Sequence, residues 1–343
     1  MTPLRPALLR VAVPCAGYWL VLSLTACDAQ VQEIGQRLPN GAAGGAGSAG
    51  NPGSAGNPGS AGAAGSAGSA GNAGSAGGVQ ALPRPHFGTP HVVTGLNDPL
   101  ANDEDPTLTA DGLDLCFMSD RSGNKDLWCS RRASLSAAWD APTAATELNT
   151  THSEATPALS QDGLRMWFYT ARDPAGIWLT TRSSRADAWG APAPVAELES
   201  TSLVFGPALD PAELRMALAI LDGTTQSWDL FLTQRDSPTS PWAAPVTLPE
   251  LNTESRDFDP FLYPDQGGWS LLFSSDRSGG GDLFWAHRVG NDAPFSAPEP
   301  LTELNDATAN ETDPVLSTDG QWMLYASNLA GSSDLYEVTR VVQ

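Results

Sequence analysis

Lysine is almost absent from this sequence. Lys125 is the one lysine among 18 basic residues, against 39 acidic residues and a formal net charge of −21. Nucleic-acid-binding proteins draw much of their affinity from lysine and arginine contacts to phosphate. A chain this acidic repels phosphate, so we expect no nucleic-acid partner and no direct adhesion of the folded surface to anionic lipid.

Enzyme signatures are also scarce. The sequence has no Gly-x-Ser-x-Gly elbow, no phosphate-binding loop and no Cys-x-x-Cys pair, each of which marks a common class of site. Ser122 and Lys125 match a serine–lysine pair in letters, but they fall in a predicted hairpin loop. The four histidines lack metal-ligand spacing: His86, His91, His152 and His287. We therefore predict no catalytic residue and no resident cofactor, and favour a protein that is not an enzyme.

The N-terminus has no apolar run long enough to span a membrane. The run from Val11 to Leu22 follows two arginines and precedes Leu24-Thr25-Ala26-Cys27, an arrangement typical of a secretory signal. The last four residues resemble a bacterial lipobox. We predict a signal peptide over 1–26, a lipid on Cys27, a polar spacer over 27–40 and a membrane-anchored envelope protein. An ordinary signal peptide that happens to contain Cys27 is the alternative.

Residues 41–78 contain no large side chain from which a core could be built. Glycine occupies every third position from Gly41 to Gly77, as it does in collagen. Collagen also needs abundant proline, and Pro52 and Pro58 are the two prolines in this stretch. We predict a disordered, flexible tether spanning on the order of 35 Å, with a trimeric triple helix as the alternative.

Residues 79–343 contain five copies of one unit. Each copy is marked by an aromatic residue with a proline three positions later, and repeats of this period indicate arrays such as solenoids and propellers. Successive anchors are 52, 50, 53 and 53 residues apart. The anchors are Phe87-Pro90, Trp139-Pro142, Trp189-Pro192, Trp242-Pro245 and Phe295-Pro298.

Each unit has four short segments with strand character and no helical period. Turn pairs such as Asp111-Gly112 lie between apolar runs and indicate hairpins. Four antiparallel strands per unit are typical of a β-propeller blade. The phase of the units places the first strand, Phe87 to Leu96, beside the last, Asp334 to Arg340. We predict an all-β, five-bladed β-propeller closed by its N-terminal strand, with six blades as the alternative.

The repeat resembles the WD-repeat-like propeller unit of TolB-type proteins. The run Asp-Pro-x-Leu-x-x-Asp-Gly, followed by Phe-x-Ser-Asp-Arg and Asp-Leu-aromatic, is clearest from Asp105 to Trp128 and from Asp259 to Phe284. This resemblance implies a propeller. The N-terminal α/β domain of TolB proteins is replaced here by the tether, and their six blades contrast with five.

Two cysteines remain in the repeat domain, Cys116 and Cys129. Pairing Ser119 with Asp126 across the hairpin places these cysteines opposite each other on neighbouring strands. A cross-strand disulfide is expected in an oxidising envelope. Two small buried thiols are the alternative.

Acidic residues recur at two positions around the strand-opening proline. One set lies three residues before it, with Val204 in the third unit, and a second set lies directly before it. Because inner strands surround the axis of a propeller, these acids could form a carboxylate ring at one channel mouth and bind Ca²⁺. Capping of turns is the alternative. The first set is Asp103, Glu154, Asp257 and Glu311, and the second is Asp105, Asp259 and Asp313.

The function that this sequence favours is a non-enzymatic binding or scaffold module. The expected partner is an envelope protein or an extracellular ligand, bound by a monomer. We expect the binding face near Ser200–Phe205, where the pattern breaks, and near Arg256–Phe258. The alternative is a carbohydrate-active propeller, either a lectin or a glycoside hydrolase with two carboxylates about 5–10 Å apart.

Overall fold

The computed structural model describes residues 84–199, 202–223, 225 and 227–341. The predicted signal peptide (1–26), the lipidation site Cys27, the spacer (27–40), the tether (41–78) and residues 79–83 lie outside the described residues. Among the residues that are described, no helix is long and apolar enough to cross a membrane.

The described chain forms five small antiparallel sheets, each a blade. A single-turn 3-10 helix, Ala196–Leu198, links two of them. Blade one contains β3 (Asp103–Leu108), β4 (Asp114–Ser119), β5 (Asp126–Arg131) and β6 (Thr143–Ala144); blade two contains β7 (Glu154–Leu159), β8 (Arg165–Thr170), β9 (Gly176–Thr181) and β10 (Ala193–Pro194); blade three contains β11 (Val204–Leu209), β12 (Arg215–Leu221), β13 (Trp228–Gln234) and β14 (Val246–Thr247). Blade four contains β15 (Asp257–Asp265), β16 (Gly268–Ser275), β17 (Asp282–Val289) and β18 (Glu299–Pro300); blade five contains β19 (Glu311–Leu316), β20 (Trp322–Ser327) and β21 (Asp334–Val341), to which β1 (His86–Phe87) and β2 (His91–Val92) are added.

The blades form a closed ring around an axis. The first strand of each blade contacts the first strands of both neighbouring blades, and β19 of blade five contacts β3 of blade one. The five-bladed prediction is therefore confirmed over its six-bladed alternative. Closure by the N-terminal strand is also confirmed, because His91 and Val92 of β2 pair with Glu337 and Tyr336 of β21. This pairing supplies blade five with its outer strand and covers an edge that would otherwise be open.

The aromatic anchors are buried, and most of them support an arginine. The guanidinium of Arg132 lies 4.3 Å from the ring centroid of Trp139, and that of Arg182 lies 4.2 Å from Trp189. The same arginines donate from Nε to the turn carbonyls of Gly112 and Gly163. A planar guanidinium can stack on a ring and donate at its edge, whereas an ammonium cannot. This double role gives a physical reason for the near-absence of lysine.

Candidate functional site: the axial carboxyl cluster

Every inner strand is interrupted by a bulge at the residue before its proline. The ladder register shifts here in all five blades. Proline has no N–H to donate, and a bulge removes it from the ladder and re-aims the preceding side chain. Five residues with a left-handed backbone therefore ring the axis: Asp105 (φ 56°), Thr156 (φ 46°), Gly206 (φ 58°), Asp259 (φ 47°) and Asp313 (φ 56°).

Three of these five residues bring their carboxyl groups together. One oxygen from each of Asp105, Asp259 and Asp313 lies within 4.8 Å of the other two. Asp105 accepts a hydrogen bond from the Thr156 amide at 3.0 Å. Gly206 contributes no side chain, and a Cβ there would lie 3.3 Å from Cδ of Pro260. Blade three therefore adds no carboxyl group to the ring, and a side chain at this position would press against the Pro260 ring of blade four.

Burial and mutual repulsion raise the pKa of all three carboxyl groups. Burial, followed by the charge of Asp105, raises the pKa of Asp259 to about 7. Burial also raises the pKa of Asp105 well above its usual range, with the charge of Asp313 adding to the effect. The pKa of Asp313 is raised well above its usual range by burial and then by the charge of Asp259. Carboxyl groups this close cannot all ionise without a compensating cation.

Glu104 adds a fourth acid near the cluster. Burial raises its pKa to about 7, although the charge of Lys125 acts in the opposite direction. The Lys125 ammonium lies 3.9 Å from the Glu104 carboxylate. The single lysine of the chain is therefore placed where it partly offsets the axial negative charge.

A cavity of about 290 Å³ continues from the carboxyl cluster along the axis. Its wall includes the five strand-opening prolines, and other lining residues include Gln161, Phe261 and Tyr263. No tryptophan is among the described residues that line it. The cavity is large enough for a small ligand or for several water molecules beside a bound ion.

The cluster has the oxygen chemistry and the spacing of a hard-cation site. Ca²⁺ binds carboxylate and other oxygens at about 2.3–2.6 Å, so two ligands of one ion are at most about 5 Å apart. The separation of 4.8 Å or less among Asp105, Asp259 and Asp313 is compatible with one shared ion.

The four acids of the other recurring set lie off the axis. Asp103, Glu154 and Asp257 form ion pairs with Arg121, Arg172 and Arg277 at 2.5, 3.1 and 2.6 Å. They also accept hydrogen bonds from loop amides, as Glu311 does from Asp306 at 2.9 Å. These four side chains cap turns within their own blades and do not line the axial cavity. The acids that meet near the axis are those directly before proline.

The adjacent Asp and Arg of the Phe-x-Ser-Asp-Arg run, Asp120-Arg121 and Asp276-Arg277, do not form ion pairs with each other. Asp120 accepts hydrogen bonds from the amide and the side chain of Asn102, while Arg121 reaches Asp103. In blade four, Asp276 bonds with Arg256 and Arg277 with Asp257. Each adjacent pair therefore joins two loops.

Cys116 and Cys129 lie opposite each other on β4 and β5. Their Sγ atoms are 2.05 Å apart. Intact-mass measurement before and after alkylation without reductant tests this cross-link, and labelling of both thiols would contradict it.

The two segments expected at the binding face contain aromatic residues that pack in the interior of the protein. Ser200 and Thr201 lie outside the described residues. Phe205 is buried against Tyr169, with ring centroids 3.8 Å apart, and Phe258 is buried beneath Arg256. The described aromatic residues of these segments therefore contribute to the core.

No known protein family matches this chain, and none of the curated proteins is significantly similar to it. Solved structures are similar in fold. An α-L-arabinofuranosidase from Podospora anserina aligns with a TM-score of 0.54 and 11% identity over 74% of this chain and 95% of its own. The endo-arabinase from Bacteroides thetaiotaomicron aligns with a TM-score of 0.53 and 14% identity over 71% of this chain and 95% of its own. A protein assigned as TolB from Agrobacterium tumefaciens aligns with a TM-score of 0.43 and 17% identity over 66% and 69% of the two chains. At these identities the likeness is one of fold, and the fold is a five-bladed β-propeller.

Proposed function

We propose that this protein is a non-enzymatic binding module and that its propeller holds a divalent cation, with Ca²⁺ as the best-fitting ion, at the axial carboxyl cluster. The observation that carries the proposal is the convergence of Asp105, Asp259 and Asp313 within 4.8 Å. Three closely spaced, half-buried acids that repel one another can all ionise around one divalent ion. The adjoining cavity leaves room for water or for ligand oxygens to complete the coordination.

A carbohydrate-active propeller is the competing function. Retaining and inverting glycosidases space their two carboxyl groups about 5–5.5 Å and 6.5–9.5 Å apart, respectively. One oxygen from each axial carboxyl group lies within 4.8 Å of the other two, a spacing that one shared ion can span, and the cavity wall has no tryptophan in the described residues to form a sugar platform. Both observations favour binding over hydrolysis.

The site of action that we propose is a bacterial envelope. A lipid on Cys27 would hold the chain on a membrane, and the 41–78 tether would let the propeller stand away from it. This envelope role rests on the lipobox-like motif that ends in Cys27, because the TolB-like repeat indicates the propeller architecture alone. Metabolic labelling with an alkyne-bearing fatty acid tests this anchor: the wild-type protein becomes labelled and the Cys27→Ser variant does not. Equal labelling of the two proteins would contradict it.

Calorimetric titration with CaCl₂ tests the cation site. The mature chain is used with Cys27→Ser so that it stays in solution. We expect one site per chain, with affinity lowered at least about tenfold by Asp313→Asn, since one charged ligand is lost. Asp140→Asn is the control, because it makes the same change in charge at an exposed residue that is not part of the axial cluster. Absence of binding, or equal affinity in Asp313→Asn, would contradict the proposal.

Activity on polysaccharide separates the two functions. Incubation with arabinan, the polymer suggested by the arabinan-degrading fold neighbours, is expected to release no reducing sugar. Release of sugar that depends on Asp105, Asp259 or Asp313 would favour the hydrolase instead.

A further inference from the structure

Blades one, two and four each surround an arginine guanidinium with the same polar partners: a buried acid, a loop carbonyl and a hydroxyl group. We call this arrangement the polar box. The arginine lies two residues after a hydroxyl residue that ends the second strand of the blade, and its Nη2 donates both to a loop carbonyl and to the buried acid of that blade. Nε donates to the hydroxyl at 2.8–2.9 Å. The carbonyls are those of Leu96 for Arg121 (2.7 Å), Leu148 for Arg172 (2.5 Å) and Leu251 for Arg277 (2.5 Å).

An aromatic pair completes each box. The guanidinium carbon of Arg121 lies 5.3 and 4.9 Å from the ring centroids of Phe117 and Trp128. The corresponding pairs are Phe168 and Trp178 around Arg172, and Phe273 and Phe284 around Arg277. A carboxylate, a carbonyl, a hydroxyl and two ring faces together match the planar donors and the delocalised charge of a guanidinium.

Blade three has lost this box as a whole. Val204 stands where the other blades have an acid, and its strand partner Ile220 stands where they have a hydroxyl. Leu218 replaces the first aromatic residue. Aliphatic residues replace the acid, the hydroxyl residue and that ring at this position of blade three. The position therefore holds no buried carboxylate that needs a cation.

Blade five has the polar box of blades one, two and four but no arginine in it. Glu311 is 1% exposed; it accepts from Ser327 Oγ at 2.8 Å and from the Asp306 amide at 2.9 Å. Glu154 of blade two accepts from Thr170 Oγ1 and the Thr150 amide at 2.8 Å each. The two carboxylates are therefore held in the same way, although one has an arginine and the other does not.

The residue at the arginine position of blade five is Leu329. Its amide lies 3.3 Å from Ser327 Oγ, as the amide of Arg121 does from Ser119 Oγ, and its side chain is 53% exposed. Tyr325 and Tyr336 are stacked with centroids 5.7 Å apart, where the other boxes have a Phe–Trp pair (blades one and two) or a Phe–Phe pair (blade four). Among the described residues, no arginine, lysine or histidine lies within 4.0 Å of the Glu311 carboxylate.

We propose that blade five binds the guanidinium of a ligand, an alkylguanidinium of the kind that an arginine side chain carries, between Glu311, the Leu304 carbonyl, Ser327 and the Tyr325–Tyr336 pair. In blades one, two and four the chain supplies this group itself. In blade five the ligand supplies it. The site is separate from the axial cluster and does not depend on a metal there. A lysine ammonium fits less well because it is a point charge that cannot stack and donate in one plane.

The probe for this site is Nα-acetyl-arginine methylamide, with the lysine counterpart as its control. Nuclear magnetic resonance of the ¹⁵N-labelled mature chain carrying Cys27→Ser follows the amides of residues 304–311 and 327–329. We expect saturable shifts there, with an affinity for the arginine compound at least about tenfold higher than for the lysine compound. Asp105→Asn, which removes a carboxyl from the axial cluster, should leave these shifts in place and so separate the two sites.

Leu329→Arg supplies the missing side chain from within. We expect this variant to lose binding of the arginine compound and to gain about 3 °C or more in Tm, because an internal arginine forms the charge-assisted bonds of the other boxes. Leu135→Arg is the matched control, since Leu135 is 54% exposed; it should keep binding and show no such gain. Glu311→Gln, which keeps the shape of the side chain and removes its charge, should also lose binding.

Three results would overturn the proposal. The first is an absence of saturable shifts in blade five. The second is equal affinity for the arginine and lysine compounds, which would indicate general attraction of cations to an acidic protein. The third is unchanged binding in Leu329→Arg together with a Tm equal to that of Leu135→Arg.

Discussion

Two sets of acids lie two positions apart on the same inner strands, and the fold treats them in opposite ways. Asp103 and Asp257 are each paired with an arginine of their own blade at 2.5 and 2.6 Å. Asp105 and Asp259 have turned toward the axis, where they meet each other and Asp313 instead of a cation. The recurrence of an acid in the repeat is therefore a poor guide to its function. Whether the chain itself supplies an arginine to pair with that acid is a better guide.

The difference originates in the bulge. In a regular strand, residues two positions apart point to the same face. The positive φ of Asp105 and the register shift between Glu104 and Thr107 separate its side chain from that of Asp103. The same bulge in blades one, four and five therefore brings the three axial carboxyl groups together.

The largest effect is expected from breaking an outer pair. Arg277→Ala leaves Asp257 buried without its cation, and removal of one partner of a buried ion pair costs about 3–5 kcal/mol. Urea denaturation measures the loss. The control is Arg131→Ala, since Arg131 is 45% exposed and its buried partner Asp114 keeps a second ion pair with Arg182; loss of such an exposed arginine should cost about 1 kcal/mol or less. Equal losses in both variants would break the distinction.

The axial set should make stability fall as pH rises. The pKa of Asp259 is about 7 in the fold, against 3.8 for an ordinary aspartate. The native state therefore holds this proton more tightly than the unfolded chain, so the stabilisation is full below the unfolded pKa and is lost as pH rises through about 7. Without divalent cations, we expect a loss on the order of 3 kcal/mol between about pH 5 and pH 8.

Urea denaturation across this pH range checks the expected loss. A flat profile, or stability that rises with pH over this window, would show that the axial carboxyls are not held in a protonated state. Added Ca²⁺ should flatten the profile, because a bound ion replaces the protons.

Removing the charge of one axial carboxyl group should raise stability by a small amount. Removing the charge of an outer acid should lower it. Asp313→Asn relieves repulsion, so above pH 7 and without Ca²⁺ it should raise stability by about 1–2 kcal/mol. Asp257→Asn, the matched change in the outer set, leaves Arg277 without its carboxylate and should lower stability. Thermal denaturation of the two variants side by side gives the comparison, and a loss in both would contradict it.

The smallest effect is expected at Lys125. Its ammonium is 29% exposed and 3.9 Å from the Glu104 carboxylate, so Lys125→Met should change stability by less than about 1 kcal/mol. It should nevertheless raise the pKa of Glu104 further, since the charge of Lys125 now lowers it. A carboxyl titration by nuclear magnetic resonance follows this shift, and an unchanged titration would remove Lys125 from the axial electrostatics.

Much of the fold was accessible from the sequence because every blade repeats the same turns and anchors. The closing strand followed from the phase of the units, and β2 pairs with β21 as expected. The division between outer and axial acids did not follow, because Asp103 and Asp105 share a face in an unbroken strand. A usable signal was present, since an acid and an arginine occur together in blades one, two and four, while blade five keeps Glu311 with Leu329.

The most direct test of the axial cation site is a crystal structure of the Cys27→Ser mature chain with CaCl₂ above pH 7, using anomalous scattering from calcium. We expect one anomalous peak on the propeller axis, with oxygens of Asp105, Asp259 and Asp313 at about 2.3–2.6 Å from it. A map with no axial peak, in which the three carboxyl groups are hydrogen-bonded to one another, would contradict it.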